Sequence, residues 1–304
     1  MKLKNTLALS LAAVMAAGLT ACGSGADTAS PAADSTAAES TEAAADTTAA
    51  PDGDGDPTTL TVAMECAYAP YNWTQNDDAN GAVEIRGSSD YAYGYDVMMA
   101  KKIGEALGQK VQIVKLDWDS LIPAVMSGDV DCVIAGQSIT AERAAQVDFS
   151  DPYYYASIVT LTKKDSAYAN AASVADLAGA TATSQLGTIW YDTCLPQIEG
   201  AQLMPASETA PAMVMAVTSG TVDYICTDMP TAMGACATYD NLVILDFSGS
   251  EDNFKVDAGE INIGISVVKG NTTLLDAMNA VLSEMTVEDM NQIMNDAIAV
   301  QPAI

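Results

Sequence analysis

Residues 124–136 read AVMSGDVDCVIAG, and residues 216–228 read AVTSGTVDYICTD. Each copy holds an apolar helix end, a Ser-Gly stop, a Val-Asp pair and an apolar strand. Ser-Gly is an ordinary helix stop, so one copy alone would say little. Two copies about ninety residues apart point to two similarly built lobes. Outward from them, short β-rich runs alternate with helix-period runs from Thr59 onward. Residues 60–66 and 111–116 read as strands, with a helix over 95–107 between them that Gly108 stops. Residues 121–126 read as a short helix and 130–135 as a buried strand. Such alternation predicts βαβ units and a parallel sheet with helices on its faces, an α/β fold.

In open α/β sheets the ligand crevice lies beyond the carboxyl ends of the strands. Gly136-Gln137-Ser138 and Thr227-Asp228 would therefore face a shared cleft. Arg143 follows the first of these strand ends in a chain with only two arginines. Asp228 ends the counterpart strand. One cation and one anion on opposing walls suit a zwitterion such as an α-amino acid, because a guanidinium grips a carboxylate through two hydrogen bonds. Each such charge-assisted bond contributes about 1.5–3 kcal/mol. The alternative is that Arg143 and Asp228 are surface charges or helix caps.

Composition excludes several function classes. The formal charge is −28, from 40 acidic and 12 basic residues. That balance argues against a nucleic-acid partner and against docking to an anionic membrane surface, since both need clustered Lys and Arg. The chain has no histidine, which removes the usual zinc ligand, the Ser-His and Cys-His nucleophile pairs and the commonest general base. Neither metal nor cofactor is expected, and hydrolase chemistry is disfavoured. No apolar run after residue 22 has membrane-spanning length.

Residues 1–22 read as a processing segment. Lys2 and Lys4 precede an apolar stretch, 7–19, which ends in Leu19-Thr20-Ala21-Cys22-Gly23. That ending resembles the bacterial lipobox, whose cysteine becomes the lipid-modified first residue of the mature protein. Residues 23–58, Ala/Ser/Thr/Asp/Glu-rich and without lysine, arginine or aromatics, read as a disordered acidic tether. Asp52 to Pro57, DGDGDP, is not a calcium loop: its sixth position is proline where that loop needs glycine, and its twelfth is Ala63 where it needs glutamate. Setting Cys22 aside leaves Cys66, Cys132, Cys194, Cys226 and Cys236, an odd number with no CxxC pair. Buried free thiols and a disulfide both remain open.

From 59 to 285 the chain resembles the extracytoplasmic substrate-binding proteins of polar amino-acid ABC importers, the family 3 solute-binding proteins, in lipoprotein form. The resemblance runs through ECAYAPYNW (65–73), GYDVMMAKKIGEALG (94–108), DWDSLIPAVMSGDVDCVIAGQSITAER (117–143), VDFSDPYYY (147–155), ADLAG (175–179), SQLGT (184–188) and VDYICTD (222–228). It implies a two-lobed periplasmic-binding-protein fold of type II, joined by two crossing strands, with the ligand cleft between lobes. Lobe 1 would comprise 59–156 and 265–304, and lobe 2 residues 157–264. Arg143 would clamp the α-carboxylate, with Gly136 and Ser138 adding donors. Gly187 and Thr188, opening a helix after a strand that ends near Gln185, would contribute from lobe 2. Asp228 would accept from the α-ammonium, and Tyr68 and Trp118 would flank the ligand side chain. Glu65 stands where related proteins place a group that reads that side chain, acidic in some binders of cationic amino acids.

Blander readings stand beside these. Tyr68 and Trp118 suit core positions, Gly187-Thr188 an ordinary turn, and Glu65 an exposed carboxylate. Tyr153-Tyr154-Tyr155 reads as structural packing. Residues 72–94 form a longer loop than the family usually has and hold the other arginine, Arg86. The function implied is capture of a polar, cationic or neutral amino acid by a monomer and its delivery to an ABC permease, the protein being lipid-anchored outside the cytoplasmic membrane. The alternative is a dehydratase of the prephenate or arogenate type, which needs a second cleft cation. A sensory domain is a third reading, weakened because no membrane helix or signalling domain follows in this sequence.

Overall fold

The computed structural model describes residues 56–302. Residues 1–22 with Cys22, and most of the 23–58 tether, lie outside the described residues. Strand β1 (Thr59–Met64) opens the fold and is buried almost throughout. Four short strands follow: β2 (Ala67–Tyr68), β3 (Asn72–Gln75), β4 (Val83–Glu84) and β5 (Tyr91–Tyr93). They pair antiparallel in the order β2-β3-β5-β4. The expected loop over 72–94 is thus a small sheet. Its register sets Trp73 opposite Tyr93, with ring centroids 5.4 Å apart, the kind of cross-strand aromatic pair that stabilises short strands. Helix α1 (Tyr95–Leu107) has the expected bounds, and Gly108 ends it in the left-handed conformation.

β6 (Lys110–Lys115), α2 (Leu121–Ser127), β7 (Cys132–Val133), α3 (Ala141–Ala144) and β8 (Asp148–Phe149) complete the first run. Of the expected strand 130–135, all of it buried, only Cys132–Val133 joins a ladder. β9 (Tyr154–Tyr155) leads into β10 (Ile158–Lys163), β11 (Thr181–Thr183), β12 (Gln202–Leu203), α4 (Ala210–Thr218), β13 (Tyr224–Asp228), α5 (Met229–Thr238) and β14 (Leu242–Leu245). α6 (Ala258–Ile261) and β15 (Asn262–Ile263) lead back to β16 (Ser266–Val267), and α7 (Thr272–Ser283) and α8 (Val287–Val300) follow.

Two five-stranded sheets result, with equivalent orders: β6-β1-β7-β16-β8 and β12-β11-β13-β10-β14. In each, three strands are parallel and the fourth is antiparallel to both its neighbours. The expected all-parallel sheet is therefore mixed. The antiparallel members are β10 and β16, the strands that the chain inserts on passing from one sheet to the other. Immediately before them, β9 and β15 pair with each other antiparallel.

The repeated Val-Asp pair has a structural cause. Asp131 accepts from the backbone N–H of Thr61 at 2.7 Å and from its hydroxyl at 2.5 Å, tying β7 to β1. Asp223 accepts from the same two groups of Thr181 at 2.8 and 2.7 Å, tying β13 to β11. One carboxylate thus fixes the central parallel pair in both sheets. All five cysteines among the described residues are free, four of them buried. No helix of the described residues is long and apolar enough to cross a membrane.

Candidate functional site

The parallel strands of the two sheets carry every expected cleft residue at or just beyond their carboxyl ends. Glu65 and Tyr68 follow β1, Trp118 follows β6, and Gly136, Ser138 and Arg143 follow β7. Gln185, Gly187 and Thr188 follow β11, and Asp228 is the last residue of β13. Thr140 caps the short α3 by accepting from the Arg143 N–H, which turns this arginine back beside the β7 exit.

Arg143 then bridges the loops of the two sheets. One guanidinium nitrogen donates to the Ser138 carbonyl at 2.9 Å and the other to the Gly187 carbonyl at 2.9 Å. Its carbon lies 5.4 Å from the centroid of the Trp118 ring, within cation–π range. Desolvation pulls its pKa down to about 10, so it stays protonated at neutral pH. Among the described residues the ion pairs are Lys163–Asp165 and Lys269–Asp148, and Arg143 belongs to neither.

Asp228 ends β13 in the other sheet and is buried. One carboxylate oxygen caps α5 through the Thr231 N–H at 2.8 Å, and the other accepts from the Tyr68 hydroxyl at 2.5 Å. The helix-cap reading of Asp228 thus holds, and its second oxygen is engaged by Tyr68. Burial raises its pKa, and the donors oppose that rise. Tyr68 stacks on Tyr71 at 4.8 Å and approaches Trp190 at 6.4 Å, so Asp228 faces an aromatic wall. Tyr71 holds its own buried hydroxyl without a hydrogen-bond partner, as does the Thr231 side chain.

Glu65, 4% exposed, is not the surface carboxylate of the bland reading. It accepts from the Gln185 amide at 3.3 Å across the two sheets. Desolvation pushes its pKa up to about 7, and Asp117 adds to the rise. Two cavities adjoin at Trp118. One, of about 500 Å³, is lined by Trp118, Gln137, Thr140, Arg143, Gly187 and Thr188 among others. The other, of about 380 Å³, includes four carboxylates, those of Glu65, Asp117, Asp119 and Glu208, and no lysine or arginine.

Two expectations change in detail. The Gly136 N–H is engaged by the Tyr153 hydroxyl at 2.8 Å. Its glycine is required for another reason: φ is +63°, and a Cβ would stand 2.7 Å from Tyr68 Cε1. Gly187-Thr188 opens no full helix. A left-handed turn at Gly187 is followed by one π-helical turn, Trp190–Cys194, and a 3-10 turn, Leu195–Gln197. Thr188 closes this turn by donating to the Gln185 carbonyl at 2.7 Å. Of the three tyrosines expected to pack structurally, Tyr153 and Tyr154 are buried and Tyr155 is exposed, and Tyr153 holds a position behind the site that sequence reading did not foresee. Buried Asp96 and Asn72 were missed as well, because nothing local distinguishes Asp96 from an ordinary acidic residue in a first helical turn. Arg86 stays exposed, 3.5 Å from the Gln112 side chain and apart from both cavities' linings. Among the described residues no His/Cys/Asp/Glu group is arranged to hold a metal ion.

The family model of bacterial extracellular solute-binding proteins, family 3, matches residues 60–297. The arginine-binding extracellular protein ArtP of Bacillus subtilis is 35% identical over 130 residues, a match spanning 43% of this chain and 45% of ArtP. The L-cystine-binding protein TcyJ of Escherichia coli K12 is 26% identical over 230 residues, 75% of this chain and 77% of TcyJ. A solved ancestral arginine-binding protein bound to arginine is 30% identical with a TM-score of 0.61, covering 79% of this chain and 97% of that one.

Proposed function

The chain belongs to the bacterial extracellular solute-binding proteins of family 3, and from that membership we propose that it captures an L-α-amino acid outside the cytoplasm and delivers it to the permease of an ABC importer. Its fold is the α/β, two-lobed type II binding-protein fold. Lobe 1 comprises 59–156 and 265–304, lobe 2 comprises 157–264, and each contributes one five-stranded sheet. The paired strands β9 and β15 are the crossing between them.

The observation that carries the reading is two desolvated charges that form no ion pair among the described residues. Arg143 is held between carbonyls of both lobes with no carboxylate in ion-pair range, and Asp228 is buried with only neutral donors around it. An amino acid compensates both at once: its carboxylate meets Arg143 and the Ser138 and Thr188 groups, and its ammonium meets Asp228. The side chain then extends past Tyr68 and Trp118. The four carboxylates beyond Trp118 favour a cationic side chain, with Glu65 and Gln185 as the groups that read it. Similarity to arginine-binding relatives supports the same preference. A dehydratase would need a second cation for a second carboxylate, and Arg143 is the sole lysine or arginine lining either cavity.

Native mass spectrometry of gently purified protein tests this reading. The expected result is a monomer carrying one amino acid per chain, exchangeable for added L-arginine or L-lysine. Refusal of every common L-amino acid would contradict it. Cys22 is the proposed lipid anchor, with 23–58 as its tether. Cys22→Ser should release the protein from the membrane fraction of its native host, and unchanged retention would refute the anchor.

A further inference from the structure

Behind the cleft, two backbone N–H groups of the ligand-bearing loops are tied to one buried carboxylate. Asp96, in the first turn of α1, is 0% exposed. One of its oxygens accepts from the Asn72 amide at 2.7 Å and the other from the Tyr153 hydroxyl at 2.7 Å. Asn72 in turn accepts from the Cys66 N–H at 2.6 Å, and Tyr153 accepts from the Gly136 N–H at 2.8 Å. Cys66 and Gly136 both have positive φ, +54° and +63°. These are the strained turns at the exits of β1 and β7, and Cys66 is a non-glycine residue in a region that costs side chains energy.

Donor counting fixes the direction of every bond. The Asn72 carbonyl is held by Cys66, so its NH₂ must face Asp96. The Tyr153 oxygen accepts from the Gly136 N–H, and its hydroxyl donates to Asp96. In this arrangement both Asp96 oxygens accept, the pattern its ionised form makes. Desolvation pushes its pKa up to about 7 against the pull of these donors. A buried carboxylate without a cation is a weak source of stability. What it supplies is two short charge-assisted bonds of fixed direction.

We propose that Asp96 is the positioning residue for two neighbouring loops on one wall of the cleft: through Asn72 it sets the Glu65–Tyr68 loop after β1, and through Tyr153 it sets the Gly136–Ser138 turn after β7, whose carbonyl holds Arg143. The proposal rests on the amino-acid-binding reading and adds to it a residue that acts through others. A site needs its binding groups within about half an ångström of the productive geometry, which depends on the shell behind them. Asparagine at 96 keeps the shape but removes the charge and turns one acceptor into a donor, so at least one arm loses its charge-assisted bond.

The test uses the full chain with Asp96→Asn, Tyr153→Phe and the double variant, titrated calorimetrically with each of the twenty common L-amino acids and melted by circular dichroism. Asp96→Asn is expected to weaken every ligand the wild type binds by about tenfold or more. Tyr153→Phe weakens the same ligands, and the two losses are coupled rather than additive in the double variant, because the two side chains share a hydrogen bond. Glu65→Gln, by contrast, alters only the ranking among side chains. Wild-type binding with Asp96→Asn affinity unchanged overturns this inference alone, whether or not the melting temperature falls. Strict additivity of the two losses also overturns it. Silence of the wild type to all twenty overturns the parent reading and this one with it. Should Asp96→Asn fail to fold, Tyr153→Phe decides: unchanged affinity overturns the proposal, and a uniform loss supports it.

Discussion

Glu65 gives the clearest residue-scale test of ligand class. Burial raises its pKa to about 7, so near neutrality it is shared between its protonated and ionised forms. A cationic side chain set against it favours the ionised form and releases a proton on binding. Affinity for L-arginine or L-lysine is therefore expected to climb from pH 5 to about 7 and then level, with Glu65→Gln removing that part of the slope. Titration across this range checks it; a slope unchanged in Glu65→Gln contradicts it. Gly136→Ala carries a separate expectation. With φ at +63° and Tyr68 Cε1 2.7 Å from the new methyl, it should cost about 1–3 kcal/mol. It should also shift Tyr68 off Asp228, seen as weaker binding together with a lower melting temperature. Place after strand ends made Gly136, Ser138, Arg143 and Asp228 candidates, and the family resemblance added Glu65, Tyr68, Trp118, Gln185, Gly187 and Thr188. Sequence reading missed Asp96, Asn72 and Tyr153, whose importance lies wholly in partners distant along the chain, such as Asp96 and Tyr153 at a separation of 57.

Strands β7 and β13 show what an element owes to one side chain. Each lies in the middle of its sheet, and Asp131 or Asp223 ties it to the threonine of the neighbouring parallel strand. Asp131→Ala and Asp223→Ala are each expected to lower stability by about 1.5–3 kcal/mol, since bonds to a charged acceptor are lost and buried donors are left over. Urea unfolding measures this, and a loss below about half a kcal/mol in both would refute the clamp. The echo of the two Val-Asp pairs was visible in the sequence, but their threonine partners, seventy and forty-two residues upstream, were not. The same limit hid the small sheet over 67–93. Its strands are two to four residues long within an Asn/Asp/Gly/Ser-rich run, so local propensity reads as loop while aromatic pairing across strands decides otherwise. Helix α1 was legible to the residue, because its periodicity and its glycine stop are both local signals.

Across the whole molecule, charge and burial act together on stability. Folding raises the pKa values of Glu65, Asp96 and Asp228. A carboxyl shifted this way binds its proton more tightly when folded. For Glu65 and Asp96 this contribution is fully present below an unfolded pKa of about 4 and is lost as pH rises through about 7, and the Asp228 shift acts in the same direction. The lowered pKa values of exposed Asp56, Asp176 and Asp289 act only below that window. Repulsion within a chain of charge −28 grows in the same direction with pH. The melting temperature without ligand should therefore rise as pH falls from 8 to 5, and the opposite trend in calorimetry would contradict this. The two-lobed architecture was legible in the repeated stretch, whereas the mixed strand directions were not, because they come from the chain's exchange between sheets. Arg143 is where both lobes meet, and the central claim is that it holds the ligand carboxylate. Calorimetric titration of wild type and Arg143→Ala with the amino acid that binds best measures it directly. A loss of about a hundredfold or more in a variant that still folds is the predicted result; affinity within tenfold of wild type would show that the carboxylate is bound elsewhere.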